Sequence, residues 1–162
     1  MSYIKEIEIN EAKGYLRKLY VDAIQRAGRI LNIVKIMSIH PETMKSSMEM
    51  YQRLMFSPSP LNRSEREMLA VVVSSKNGCV YWIRAHVHEL HAEVENDFKH
   101  FNEEKYDKLV HHIANNWVNA ELSEKHRTIC GFAEKNTSKT QKMNSNDLIP
   151  LKNHDSSDLA IH

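Results

Sequence analysis

Apolar residues recur at helical spacing along most of the chain, and this periodicity constrains the fold more than any other feature. Between Glu11 and Ala27, apolar side chains return every three or four residues, as on one face of a helix. No alternating pattern of the kind produced by a strand competes with these runs. With 162 residues, 41% of them hydrophobic, and only four Gly and four Pro, the chain has few helix breakers. The sequence therefore predicts an all-α fold.

Breaking residues divide the periodic runs into seven predicted helices, at residues 11–27, 30–37, 41–55, 62–77, 79–96, 103–119 and 123–135. The third helix should begin at Pro41, and the Ser-Pro-Ser-Pro segment at 57–60 should be a linker. Either Asn62 or Ser64 could cap the fourth helix, because each is followed three residues later by a glutamate. We expect residues 1–10 to form an extended arm, 136–146 a polar loop and 147–152 a short helical turn.

Composition limits the domain organisation and the partners. The length favours one domain over 1–162. The net charge of +1 and the lack of a basic patch argue against binding to nucleic acid or to a membrane surface. Two cysteines do not make a disulfide framework, and the N-terminus lacks a long apolar segment. These features predict a cytoplasmic protein with reduced thiols.

The segment around Cys79 carries the strongest chemical signal. Asn77-Gly78 should end the fourth helix, which places Cys79 at the N-terminus of the fifth, where a helix lowers the pKa of a thiol. A helical wheel puts one set of side chains on the inward face of the fifth helix: Cys79, Trp82, Ile83, His86 and Leu90. The fourth helix adds Glu67, twelve residues earlier. A carboxylate, a thiol and an imidazole on an apolar wall are what proton-relayed thiol chemistry requires.

A purely structural interpretation of the same residues stays open. A free cysteine is often only a small hydrophobic residue of the core. Glu67 could be the reciprocal partner of a Ser64 cap, and His86 could be a hydrogen-bonded core histidine. Spacing alone favours this interpretation over catalysis.

A longer motif resembles a known family. The run S-P-S-P-L-N-R-S-E-R-E-M-L-A-V-V-V-S-S-K-N-G-C-V-Y-W-I-R-A-H resembles the AhpD-like branch of the carboxymuconolactone decarboxylase superfamily, above all its uncharacterized peroxidase-related enzymes. Their pattern is an E-R-E helix followed by V-S-x-x-N-x-C-x-Y-C-x-x-x-H. The resemblance implies an all-α bundle built around an antiparallel helix pair, a homo-oligomer, and a dithiol peroxidase site. In that site Glu67, Cys79, a second cysteine and His86 would form a proton relay.

The chain departs from this pattern at Trp82, which stands where the family has its second cysteine. A C-x-x-C disulfide is therefore impossible. Cys79 would have to act alone, oxidised to a sulfenic acid and rescued by a small thiol or a thiol reductant protein. We expect Trp82 and Tyr81 to line the pocket, with Trp82 shielding Cys79. Cys130, flanked by apolar residues, should belong to the core rather than act as a resolving thiol.

Three functions remain in competition. The first is an antioxidant alkyl hydroperoxide reductase of peroxidase type, an oxidoreductase with a hydroperoxide substrate and catalytic residues Cys79, His86 and Glu67. The second is a catalytically inactive AhpD-like oligomeric module that binds or has a structural role. The third is the decarboxylase chemistry of the wider superfamily, for which Arg84 and Arg66 are the only visible carboxylate anchors.

Two further expectations concern histidines and the chain end. His88-Glu89-Leu90-His91 is not the H-E-x-x-H zinc motif, because its second histidine comes one residue early. The sequence predicts neither a metal site nor a cofactor. Family members continue for about one more helix beyond the position of His162, so we expect that this last helix is missing or truncated here.

Overall fold

The computed structural model describes residues 2–98 and 101–162, with the backbone alone at residues 96 and 97. Within these ranges the chain is helical and contains no strand, which confirms the predicted all-α fold. The helices are α1 (Gly14–Ala27), α2 (Asn32–Ile36), α3 (Pro41–Phe56), α4 (Arg63–Lys76), α5 (Val80–Asp97), α6 (Glu103–Asn116), α7 (Glu124–Ser138), α8 (Ile149–Asn153) and α9 (Asp158–Ile161). In the part of the chain that is described, no helix combines the length and apolarity needed to cross a membrane.

The first helix begins at Gly14 rather than Glu11, and two later helix ends differ from the prediction for identifiable reasons. The predicted sixth helix divides, because Asn116 adopts an extended backbone and its side chain accepts a hydrogen bond from the Val118 amide, which starts a separate 3₁₀ turn. The predicted polar loop after residue 135 is partly helical. There α7 continues to Ser138, and the Thr137 and Ser138 hydroxyls donate to carbonyls four residues earlier, so both hydroxyls are hydrogen-bonded within the helix.

The chain divides into two compact units, and the first ends at Ser57. It contains α1, α2 and α3 around a core of Ala12, Leu16, Tyr20, Ala23, Val34 and Met44. Two hydrogen bonds attach the N-terminal arm to this unit. The Tyr20 hydroxyl donates to the Ile7 carbonyl at 2.7 Å, and the Ile7 amide donates to the Ser38 hydroxyl at 2.8 Å.

The second unit begins at Pro58 and holds the predicted site. Its centre is a hairpin of α4 and α5, with α6 and α7 packed against α4. The core includes Met68, Val71, Val72, Leu90, Val94, Leu109, Ile113 and Cys130, all fully or almost fully buried. The prediction that the whole chain forms a single AhpD-like domain stays a prediction.

The start of α4 is attached to the start of α7. Asn62 is the N-cap, and it exchanges hydrogen bonds with Glu65 in a capping box, whereas Ser64 lies inside the helix and donates to Asn62. The second oxygen of Glu65 contacts Lys125 at 2.6 Å and His126 at 3.3 Å. Burial opposes ionisation of Glu65, but these hydrogen bonds outweigh it and lower its pKa to about 2. Of the two residues predicted to cap α4, Asn62 is the N-cap that the structure shows.

Candidate functional site

A tight turn between α4 and α5 fixes the position of Cys79. Gly78 has φ of +62°, a left-handed conformation that suits glycine. The Gly78 amide donates to the Ser75 carbonyl at 3.0 Å and the Cys79 amide donates to the Ser74 carbonyl at 2.9 Å, which is the Schellman pattern of a helix end. Cys79 is at the same time the N-cap of α5, since its carbonyl accepts from the Ile83 amide at 2.9 Å. The thiol therefore starts from a fixed backbone at the positive end of a helix.

Glu67 and His86 form a buried pair across the hairpin. The Nδ1 atom of His86 lies 2.6 Å from Oε2 of Glu67, with Glu67 0% exposed and His86 8% exposed. Glu67 is thus not the cap partner of Ser64, whose hydroxyl donates to Asn62 instead. An ionised carboxylate only accepts hydrogen bonds, so His86 donates from Nδ1 and its Nε2 is left for other chemistry.

Arg63 completes this pair, and the sequence analysis missed it. Its Nη1 atom forms an ion pair with Oε1 of Glu67, so each carboxylate oxygen faces a different partner. The Arg63 side chain is only 14% exposed and also lies 3.9 Å from carboxylate oxygens of Glu89 and Glu93. The four-residue spacing between Arg63 and Glu67 on one helix was the signal that could have identified it.

One aromatic side chain stacks on the histidine, and a second packs against the first. The Trp82 and His86 rings are stacked, with centroids 5.4 Å apart and planes inclined by 25°. Tyr81 meets Trp82 edge to face at a centroid distance of 5.0 Å. Trp82 is half-buried, whereas Tyr81 is 39% exposed. The two residues predicted to line a pocket therefore contact each other, and one of them contacts the imidazole.

The Cys79 thiol is half-buried at the end of the same helix face. Seven residues of helix separate Cys79 and His86 by roughly 10 Å along the axis. Within residues 2–98 and 101–162, no hydrogen bond links this thiol to His86 or Glu67. The structure thus brings together Glu67, His86, Trp82 and Tyr81, with Cys79 two turns from the imidazole. A substrate or a water could occupy the intervening distance.

The second thiol has a different environment. Cys130 is 0% exposed in the core of the second unit. Burial raises the pKa of its thiol to about 12, so it does not ionise at neutral pH. A buried neutral thiol is a poor nucleophile and a poor resolving group.

The two arginines considered for decarboxylase chemistry differ in exposure and contacts. Arg84 is exposed, and Arg66 donates from Nε to the Asn62 carbonyl at 3.3 Å.

A separate apolar cavity of about 210 Å³ lies between α4, α7 and the segment containing α8 and α9. Its walls include Leu69, Val73 and Phe132, and none of the predicted site residues.

Comparisons with known proteins identify relatives of two kinds. Residues 2–99 match the family described as PA26 p53-induced protein (sestrin). Sestrin-2 of Mus musculus is 26% identical over 86 residues, which are 53% of this chain and 18% of that protein. The sestrin homolog of Dictyostelium discoideum is 27% identical over 81 residues, 50% of this chain and 14% of that protein. The matches thus span less than a fifth of these relatives.

Two solved structures share the fold over nearly the whole chain. An uncharacterized peroxidase-related protein from Silicibacter sp. TM1040 has a TM-score of 0.80 at 26% identity and covers 99% of this chain and 82% of its own. An alkylhydroperoxidase AhpD core protein from Ralstonia eutropha JMP134 has a TM-score of 0.79 at 22% identity, covering 96% and 76%. The predicted resemblance to the AhpD-like, peroxidase-related branch is confirmed. By the match over residues 2–99, the chain belongs to the sestrin family, with an AhpD-like helical fold.

Proposed function

We propose that this protein reduces organic hydroperoxides through a single thiol, Cys79, assisted by His86 and Glu67. The observation that carries the proposal is the buried 2.6 Å contact between Glu67 and His86 on the hairpin whose turn holds Cys79. A carboxylate that orients an imidazole is one part of an activated nucleophile, and in this proposal the bound hydroperoxide or a water bridges the two helical turns between His86 and Cys79. The likeness to a peroxidase-related protein of the same fold is further support.

The reaction balances with one thiol and an external reductant. The Cys79 thiolate attacks the outer oxygen of the hydroperoxide, an S–O bond forms, and the O–O bond breaks. His86 supplies the proton that converts the departing alkoxide into an alcohol. The sulfenic acid on Cys79 then reacts with an external thiol to give a mixed disulfide and water, and a second external thiol releases Cys79 as the external disulfide forms.

The need for an external thiol defines the proposed setting. With Trp82 at the position of the family's second cysteine and Cys130 buried, this chain offers Cys79 no accessible second thiol. We therefore propose a thiol-reducing compartment, the cytoplasm, and a small thiol or thiol reductase as partner. A homo-oligomer, as the family resemblance implies, belongs to the same proposal.

One observation favours a second candidate, a catalytically inactive AhpD-like binding module. The half-buried Trp82 covers one face of His86, so a substrate that approaches the imidazole from this face would meet the indole. If the indole blocks that approach, the fold would serve as a scaffold. Peroxide reactivity of Cys79 distinguishes the two candidates.

The test treats wild type, Cys79→Ser and the matched control Cys130→Ala with an aryl hydroperoxide. Intact mass is followed without added thiol, and peroxide consumption is followed separately with excess thiol present. We expect wild type and Cys130→Ala to gain one oxygen atom at Cys79 and to consume peroxide continuously. Cys79→Ser should do neither. If wild-type Cys79 stays unmodified at a millimolar dose, the peroxidase proposal fails and the scaffold remains.

A further inference from the structure

The apolar cavity between α4, α7 and the segment of α8 and α9 has the size of a small-molecule site. Its volume is about 210 Å³, and its apolar walls include Leu69, Val73, Ile129, Phe132, Leu151 and Ile161. An engineered cavity of about 150 Å³ lined by Leu, Ile and Phe stays dry and binds benzene. The larger cavity of this protein can therefore hold a phenyl ring with a short side chain.

The turn between α8 and α9 builds the third wall of the cavity. Asp155 has φ of +58°, a left-handed conformation that aspartate tolerates, and the Ser156 amide donates to the Leu151 carbonyl at 3.2 Å. The Ser157 hydroxyl then accepts from the Ala160 amide at 3.2 Å and caps α9. Ser156 and Ala160 both line the cavity, so a ligand would contact this turn as well as the two long helices.

The cavity offers a ligand two polar side chains and no charge. Its polar members are Asn136 of α7 and Ser156. Over residues 2–98 and 101–162, the Asn136 side-chain amide and the Ser156 hydroxyl have no hydrogen-bond partner, and no residue that lines the cavity is ionisable. An amide and a hydroxyl can each donate to and accept from a ligand hydroxyl. This lining therefore suits an uncharged molecule with an apolar body and one hydroxyl group.

Two lysines on the helices around the cavity form ion pairs. Lys135 of α7 pairs with Asp147. The Nζ atom of Lys152, on α8, lies 3.2 Å from Oδ1 of Asp158. Each of these cations already has a carboxylate partner, so an anionic ligand that entered the cavity would lose its hydration without gaining a counterion.

We propose that this cavity is a binding site for a small uncharged aromatic alcohol. The ring packs among the apolar walls, where Phe132 offers it an aromatic contact, and the hydroxyl exchanges hydrogen bonds with Asn136 and Ser156. None of the described residues that line the cavity is a candidate catalytic residue, so this site is independent of the proposed hydroperoxide reduction.

The test uses the whole protein with isotope-labelled methyl groups of Ile, Leu and Val, and phenethyl alcohol as the probe. An NMR titration should give saturable shifts of the Leu69, Val73 and Ile129 methyl groups, with a dissociation constant in the millimolar range or below. The Leu16 and Val34 methyl groups, in the core of the first unit, should not shift. Phenylacetate has the same ring but a carboxylate, and it should bind at least about tenfold more weakly.

Substitutions locate the bound probe. Asn136→Ala should weaken the binding of phenethyl alcohol by about two- to tenfold and leave the binding of benzene unchanged, because benzene has no hydroxyl. Ala160→Phe fills the cavity and should abolish the binding of both probes. Leu159→Phe is the matched control and should bind both, since this neighbouring side chain is 70% exposed and does not line the cavity. Ala133→Leu fills the cavity from α7 and carries the test if Ala160→Phe does not fold.

Four results would overturn the proposal. The cavity methyl groups could show no saturable shift, phenylacetate could bind as tightly as the alcohol, Asn136→Ala could affect the alcohol and benzene alike, or both filled variants could still bind. Methyl shifts that grow with protein concentration before any probe is added would show that a second copy occupies the cavity, and they overturn it as well. None of these results bears on the oxidation of Cys79, which is measured separately.

Discussion

Removing the Glu67 carboxylate should destabilise the second unit more than any surface substitution. Glu67 is fully buried, with one oxygen 2.6 Å from His86 and the other paired with Arg63. Glu67→Ala deletes the anion that these two side chains share. Breaking a buried pair by removing one partner costs about 3–5 kcal/mol. For a chain of this size, that corresponds to a fall in Tm of about 6–20 °C.

A double-mutant cycle with His86→Ala isolates the contact itself. A hydrogen bond to a charged group contributes about 1.5–3 kcal/mol, so the two single substitutions should sum to more than the double substitution by that amount. The assay is urea unfolding followed by circular dichroism, analysed only if the m-values agree among the four proteins.

The exposed pair of Lys45 and Glu49 on α3 is the matched control. Its charged atoms are 2.9 Å apart, but both side chains are about half exposed. The same cycle on this pair should give a much smaller coupling, because water screens an exposed ion pair. If the Glu67–His86 coupling is no larger than the control, the two residues do not form the buried contact on which the proposed relay depends.

Three further predictions follow from the thiols and from Glu65. Trp82→Cys recreates C-x-x-C at the start of α5, and peroxide should then convert Cys79 and the new cysteine into a disulfide. The readout is the loss of two free thiols. A sulfenic acid that persists on Cys79 would contradict this prediction. Because the pKa of Glu65 is about 2 in the folded protein, its carboxylate stabilises the fold above about pH 4.5. The free energy of unfolding should therefore drop by up to about 3 kcal/mol between pH 4.5 and pH 2. Glu65→Gln should make the free energy of unfolding depend less on pH over this range. Since burial raises the pKa of Cys130 to about 12, iodoacetamide should label Cys79 but spare Cys130 in the folded protein; equal labelling of both would be inconsistent with the structure.

The helices could be predicted from sequence because local signals define them. The spacing of apolar residues located the seven helices from α1 to α7. Pro41 correctly marked the start of α3, and Asn77-Gly78 marked the end of α4. Two of the differences from the predicted bounds concerned polar residues. Asn116 ended a helix that its apolar neighbours would have continued, and Thr137 and Ser138 continued one that their composition argued against.

The candidate site was only partly predictable. The helical wheel placed Cys79, Trp82 and His86 on one face, because position along one helix determines direction. Which partner Glu67 would choose was not decidable from spacing, since a local cap and a contact across the hairpin are equally compatible with one glutamate. The Arg63 contact and the stacked indole depend on side-chain conformations that no sequence pattern specifies.

The rate of Cys79 oxidation in wild type and His86→Gln tests the central claim most directly. Both proteins are mixed with an organic hydroperoxide at neutral pH, and the oxygen added to Cys79 is followed by intact mass over time. General acid catalysis contributes about 10²–10⁴-fold, so wild type should be oxidised rapidly and His86→Gln slower by a factor in that range. Equal rates in the two proteins, or no oxidation of wild-type Cys79, would contradict the proposed role of the Glu67–His86 pair.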